Sequence, residues 1–319
     1  MGWLWWLPVL AGGFAGLNFG IRRALRAERV VESGEPSGLP WREVSLPTTN
    51  GKNLFAWFIP AGERAPALVV MHGWSGNAEM MLPLAAPLHA AGYALLLVDA
   101  RCHGRSDEDS FASLPRFSED IEAALAWLAQ QAEVDATRLG VIGHSVGAGA
   151  ALLVAARQPA LRAVVSVAAF AHPAAMMRRW LAAKRIPYRP FGAYILGYVQ
   201  RVIGYRFDDI APCRTIARVA CPVLLVHGMA DATVPVSEAH AIYAARVGAA
   251  VELLLVPGSH DDYGDIGQQI EAVKNFLGRA FAGDDGSSER KKGGRPSSRP
   301  SGVCPKCLRA EGKMLSREP

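Results

Sequence analysis

Gly143-His144-Ser145-Val146-Gly147 is the stretch whose reading decides the fold. An apolar strand-like run, Arg138-Leu139-Gly140-Val141-Ile142, leads into it, and a small-residue helical segment, Ala148 to Ala156, leads out. A Gly-x-Ser-x-Gly pentapeptide is short enough to recur by chance. Between a strand and a helix it has the setting of a nucleophile elbow, where a serine sits on a strained turn and its neighbours two residues away must lack bulk. Gly143 and Gly147 meet that demand, and Gly149 lets the new helix approach the sheet.

A hydroxyl becomes a useful nucleophile when a base takes its proton and a third group orients that base. Both partners follow Ser145 in the chain. After the strand-like Val223-Leu224-Leu225-Val226 comes Asp231, within His227-Gly228-Met229-Ala230-Asp231-Ala232-Thr233-Val234-Pro235. After Val251 to Val256 comes His260, within Pro257-Gly258-Ser259-His260. Each residue follows the carboxyl end of a strand, the edge at which open parallel sheets place their sites. The expected roles are Ser145 as nucleophile, His260 as base and then acid, and Asp231 as the group fixing the imidazole tautomer. The run Leu68-Val69-Val70-Met71 enters His72-Gly73-Trp74-Ser75-Gly76-Asn77 at the same edge. The backbone N–H groups of Trp74 and Val146 are the expected oxyanion donors.

These motifs resemble the α/β-hydrolases, most of all the serine-aminopeptidase-like and monoglyceride-lipase-like branch. The resemblance is carried by His72-Gly73-x-x-Gly76, Asp99-x-Arg101-x-x-Gly104-x-Ser106, Gly143-x-Ser145-x-Gly147, His227-Gly228-x-x-Asp231-x-x-Val234-Pro235 and Gly258-x-His260, spread from about Arg42 to Phe281. It implies a mostly parallel central sheet with helices on both faces and a helical lid insertion. It also implies a serine hydrolase that needs neither cofactor nor metal. Cys102 stands where the family usually has glycine, which singles out that turn for scrutiny.

Strand and helix patterns alternate from Ala67 onward, as a parallel sheet covered on both faces requires. Trp41 to Ile59, broken by Thr48-Thr49-Asn50-Gly51, reads as an antiparallel hairpin with an Asn-Gly turn. Helices are expected over Ala78–Ala91, Ser118–Gln131, Val146–Arg157, Ser237–Val247 and Gly267–Phe281. The hydrolase domain is thus expected over residues 41–282, with the lid at 171–213. That insertion carries Arg178, Arg179, Lys184, Arg185, Arg189, Arg201 and Arg206 interleaved with aromatic residues. Such a segment either covers the core with its apolar face or lies on a membrane surface.

Gly2 to Ile21 is apolar apart from Asn18 and about the length of a bilayer core, with a tryptophan cluster at one end and Arg22, Arg23, Arg26 and Arg29 beyond the other. It predicts a single-pass transmembrane anchor over residues 2–21. The arginine side, and so the catalytic domain, would then face the cytoplasm. Gly12, Gly16 and Gly20 recur every fourth residue, either a pairing face for a homodimer or a chance recurrence of a common membrane-helix residue. Residues 22–40 read as a linker.

The chain has 319 residues, half of them hydrophobic, enough for one large core, and a net charge of only +5. From Asp284 onward there are nine Lys/Arg against five Asp/Glu, so residues 283–319 read as a disordered basic tail. No aromatic residues interleave there, which argues against nucleic-acid binding. Five cysteines do not form a disulfide framework in a chain this long. Cys304 and Cys307 have the spacing of half a zinc ribbon but lack a second pair. His72, His103, His144 and His227 read as packing and turn residues, and no metal site is expected. The activity expected is cleavage of a carboxylic ester or related acyl bond in a small, apolar substrate. A peptidase or amidase, an acyltransferase and a non-catalytic binding protein are the alternatives.

Overall fold

The structure, a computed structural model, describes residues 6–261 and 266–282. The tail with Cys304 and Cys307 lies outside those residues, as do Gly2 to Trp5. Helix α1 (Trp6–Ala24) comes first, followed by strands β1 (Arg42–Thr48), β2 (Lys52–Ile59) and β3 (Ala65–Met71). A 3-10 turn, Ala78–Leu84, leads into α2 (Ala85–Ala90), β4 (Ala94–Val98), α3 (Leu114–Leu128), β5 (Val134–His144), α4 (Val146–Ala155) and β6 (Ala163–Val167). An insertion holds α5 (Pro173–Ala183), α6 (Ala193–Ile203) and the one-turn helices α7 (Phe207–Ile210) and α8 (Pro212–Thr215). The described residues end with β7 (Val223–Gly228), α9 (Val236–Ala244), β8 (Val251–Val256) and α10 (Ile266–Ala282).

The eight strands form one sheet in the order β1-β2-β4-β3-β5-β6-β7-β8. β1 and β2 pair antiparallel, as does β2 with β4; every later pairing is parallel. The hairpin closes through Asn50 (φ 61°) and Gly51 (φ 64°), two successive left-handed residues of the kind that match strand twist. Period-two alternation then divides each central strand between two cores. Val69 and Met71 of β3 and Leu96 and Val98 of β4 face α3 and α4. Leu68, Val70, Leu95 and Leu97 face α2 and α10. All eight are at most 1 % exposed. Burial of each stabilises the fold by roughly 1.5–3 kcal/mol before entropy is counted.

Two helices differ from the expected boundaries for local reasons. α3 begins at Leu114, four residues early, because the Ser113 hydroxyl caps the Arg116 N–H and Pro115 fits the first turn. The expected single helix Ala78–Ala91 is a 3-10 turn followed by a short α-helix, with Pro83 at the junction, where it has no N–H to give.

The expected transmembrane anchor over residues 2–21 finds no support in the structure, and its first four residues lie outside the described ones. Among the described residues no helix is long and apolar enough to cross a membrane. α1 takes Arg22 and Arg23 into its last turn and packs against the insertion. The Tyr194 hydroxyl donates to Asn18 Oδ1, the Arg22 guanidinium donates to the Tyr198 hydroxyl, and the Phe14 and Tyr194 rings lie 5.7 Å apart. Polar contacts from one face of α1 to protein suit a surface helix. The inferred topology, with the domain on the cytoplasmic side, rested on that span and is equally without support. Gly12, Gly16 and Gly20 have nothing within 4 Å of a Cβ built on them.

The segment after α1 is stitched to the domain. Ala112 N–H donates to Leu25 O, Asn77 to Val30 O, and Ser33 N–H to Glu79. Glu32 brings its carboxyl beside Asp99, whose own oxygens accept from Ala78 N–H and Arg105 N–H at 2.7 Å each. Burial first, and then the Glu32 carboxyl, push Asp99 up to about 8. The folded state therefore binds a proton that the unfolded chain has released. The stabilisation is fully present below the ordinary carboxylate range and is lost as pH rises through about 8. Glu32→Gln removes one of the two acids, so its melting temperature should fall less than that of the native chain between pH 6 and 9. Parallel melting curves over that range would reject this account of the pair.

Candidate functional site

The elbow takes the form its glycines allow. β5 ends at His144, and Ser145 turns the chain into α4 with φ 53° and ψ −113°, a conformation that costs a non-glycine residue on the order of 1–3 kcal/mol. A Cβ on Gly143 would overlap the Gly147 carbonyl, and one on Gly147 would overlap the carbonyl of His72. The strained serine is held by Ser145 N–H donating to Val167 O at 2.8 Å and by Gly149 N–H donating to Ser145 O at 3.1 Å.

The loops after β7 and β8 bring the other two residues to it. His260 Nε2 lies 3.0 Å from Ser145 Oγ, and His260 Nδ1 lies 2.7 Å from Asp231 Oδ2. With Nδ1–H donating to the carboxylate, Nε2 is left to accept the serine proton. Thr233 N–H and Val234 N–H donate to Asp231 Oδ1 at 2.9 and 2.7 Å, fixing the carboxylate from the far side. Asp231 and Ser145 are buried, so the hydrogen-bonded line from Asp231 through His260 to Ser145 is shielded from water.

Of the expected oxyanion donors, Val146 opens α4, and its N–H is one of those at a helix start with no intrahelical partner. Trp74 lies on the turn after β3, which Gly76 N–H closes onto Gly73 O at 3.1 Å. Gly73 backs directly onto the elbow: a Cβ there would meet Ser145 Cβ at 3.1 Å and His144 Nδ1 at 3.0 Å.

Two histidines read from sequence as packing residues position the site. His144 Nε2 lies 3.0 Å from the carbonyl of His260, so its N–H holds the backbone of that loop. His227 Nε2 donates to Val234 O at 2.7 Å, bracing the turn whose amides hold Asp231. Nothing in their sequence spacing marks these contacts, because they join loops more than a hundred residues apart or act through backbone atoms. His72 and His103 are structural. His72 Nε2 accepts from Ala100 N–H and Nδ1–H donates to Gly73 O, while burial and the neighbouring His103 hold the ring neutral, down to about 3. Burial likewise takes His103 down to about 4.

The Asp99 to Ser106 motif braces the loop beyond β4. The Ser106 hydroxyl donates to Asp99 O at 2.6 Å and accepts from Phe55 N–H at 2.8 Å. Cys102, in the glycine position, adopts φ 68°, and its sulfur accepts from Asp109 N–H at 3.2 Å. The turn keeps its left-handed residue even with cysteine. Arg101 is 1 % exposed and pairs with Asp120, Asp109 and Glu119.

Beside Gly73 and His144 a cavity of about 170 Å³ runs between the Ala78–Leu84 turn and α10, walled by Met80, Met81, Leu84 and Ile270. Its walls suit an aliphatic or aromatic group. Among the described residues His144, His260 and Asp261 bring one ligand atom each within 4.8 Å of one another. A cation there would compete with Asp231 and Ser145 for the nitrogens of His260.

The eight-stranded sheet, the elbow serine at its centre and the loops that bring His260 and Asp231 to it give this chain the fold class of the α/β-hydrolases. Within that class, residues 62–199 match the family model described as serine aminopeptidase, S33. A Mycobacterium tuberculosis protein described as uncharacterised is 29 % identical over 247 residues, covering 74 % of this chain and 79 % of its own. A polyketide transferase of Aspergillus fumigatus is 32 % identical over 133 residues, 41 % of this chain and 46 % of that protein. Among solved structures, an esterase of Pyrococcus furiosus superposes with a TM-score of 0.66 at 21 % identity, covering 80 % of this chain and 98 % of that one. Est1E of Butyrivibrio proteoclasticus, solved with ferulic acid bound, gives 0.60 at 22 %, covering 75 % and 100 %.

Proposed function

We propose that this protein hydrolyses a carboxylic ester of a small, apolar acid through an acyl-Ser145 intermediate. The observation that carries the reading is the unbroken line Asp231–His260–Ser145, with both ring nitrogens of His260 engaged. His260 takes the Ser145 proton as Oγ attacks the carbonyl carbon, and the N–H groups of Trp74 and Val146 receive the oxyanion. His260 then returns the proton to the leaving alkoxide, and the acyl group stays on Oγ. A water deprotonated by His260 attacks that ester, releasing the acid and restoring the serine. The insertion between β6 and β7 serves as the cover of the site, and the cavity beside His144 supports the apolar preference.

A second reading is acyl transfer to an alcohol, favoured by the relative described as a polyketide transferase. One panel separates these. With p-nitrophenyl esters of two to twelve carbons and aminoacyl p-nitroanilides, ester turnover should exceed amide turnover at least about tenfold. Added small alcohols should leave the acid as the main product. Faster amide cleavage would replace the esterase reading with a peptidase, and preferential formation of a new ester would replace it with a transferase.

A further inference from the structure

Exposed apolar side chains on this protein are concentrated. Thirteen large hydrophobic residues are exposed among the described residues, and seven of them lie on α1 or the insertion: Val9, Phe14, Leu17 and Phe19, then Trp180, Tyr188 and Phe191. These two elements are far apart in sequence but packed together. Phe14 and Asn18 meet Tyr194, and Arg22 meets Tyr198, so contacts advance along α1 and α6 in the same direction. The exposed aromatics Tyr188 and Phe191 immediately precede α6 and adjoin that contact in sequence. A grouping of this kind marks an interaction surface, whereas single exposed apolar residues need no explanation.

Charge identifies the partner. Residues 6–27 and the insertion over 171–215 together contain eleven Lys/Arg against two acids, Asp208 and Asp209, whereas the whole chain has 34 against 29. Arg22, Arg23, Arg26, Lys184, Arg185, Arg189 and Arg201 are all exposed. Cationic side chains beside exposed aromatic and aliphatic ones fit a surface that offers anions above and hydrocarbon below. The outward face of α1 is also smooth, since Gly12, Gly16 and Gly20 project nothing and meet nothing within 4 Å.

We propose that α1 and the β6–β7 insertion form one peripheral docking surface for an anionic lipid bilayer, with α1 lying in the interface rather than crossing it. The surface stands whether or not the protein is an esterase, and its test reads binding alone.

The experiment sediments the full chain with vesicles of phosphatidylcholine, and with vesicles in which one quarter of the lipid is phosphatidylglycerol, in low and high salt. The native chain should bind the anionic vesicles at least about tenfold more tightly than the neutral ones, and high salt should weaken that binding. Lys184→Glu with Arg185→Glu should remove most of the preference for anionic lipid. Phe19→Ser with Phe191→Ser should weaken binding to anionic vesicles while the melting temperature stays near native. Equal binding by native and substituted chains overturns the proposal, as does failure of the native chain to sediment. A lipid-free dimer that Phe19→Ser with Phe191→Ser dissolves would overturn it too, by assigning the patch to a second copy of the chain.

Discussion

Ser145→Ala should abolish labelling by a fluorophosphonate and lower kcat for a short p-nitrophenyl ester by roughly 10⁴–10⁶-fold, because removal of the nucleophile leaves only binding and oxyanion stabilisation. The cause is specific to the position. Ser145 Oγ lies 3.0 Å from His260 Nε2 on a turn whose flanking glycines admit no side chain. His260→Ala should be nearly as severe, since members of such a group act as a unit. Asp231→Asn should retain more activity: the amide keeps an oxygen for Thr233 and Val234 N–H but loses the charge facing the imidazole. All three variants should melt close to the native chain, which separates chemistry from folding. Labelling that persists in Ser145→Ala would assign the nucleophile elsewhere.

The largest expected effect on stability belongs to Arg101. Its guanidinium is sealed from solvent with the Asp120 carboxylate, which lies 2.7 Å from Nε and is equally buried. It also donates to the Thr49 hydroxyl, the Arg116 carbonyl and Glu119. Burial alone pushes Asp120 up, and it stays up, at about 6, even though Arg101 and its hydrogen bonds pull it back. Arg101→Ala removes the counter-charge, leaves a cavity and strands several acceptors. Breaking a buried pair in this way typically costs about 3–5 kcal/mol. Urea denaturation at pH 7 reads the difference. Asp120 should then take up a proton at a higher pH than in the native chain, so the loss should shrink as pH falls toward about 6 and level off below it, where the native Asp120 is protonated too. A change under about 1 kcal/mol would mean the network contributes little beyond its own desolvation.

Much of the fold was legible because its signals are local or periodic. Strand and helix alternation, the Asn50-Gly51 turn and the elbow between β5 and α4 depend on neighbouring residues, and each lies where the sequence predicts it. Ser145, Asp231 and His260 could be chosen because each follows a strand end, and a parallel sheet gathers those ends on one edge. The early start of α3 was also encoded locally, in Ser113 and Pro115, a start signal overlooked because Ser118 also precedes an apolar run.

Other features depend on which loops the sheet order brings side by side. His144 holds the backbone of His260 across more than a hundred residues, and no spacing along the chain encodes that hydrogen bond. Glu32 looks like an ordinary linker residue until the segment after α1 lays it beside the buried Asp99. α1 is the sharpest instance. By composition, Gly2 to Ile21 is apolar enough to suggest a crossing, because hydropathy counts residues and ignores their neighbours. The tertiary structure gives Phe14, Asn18 and Arg22 a protein partner in α6 and places the arginines within the helix. Amino-acid sequence alone determined the sheet, the elbow and the choice of three residues, since these follow from periodicity and strand ends. Only tertiary structure decided what holds those residues in place and where the first helix lies, since both depend on contacts between distant segments.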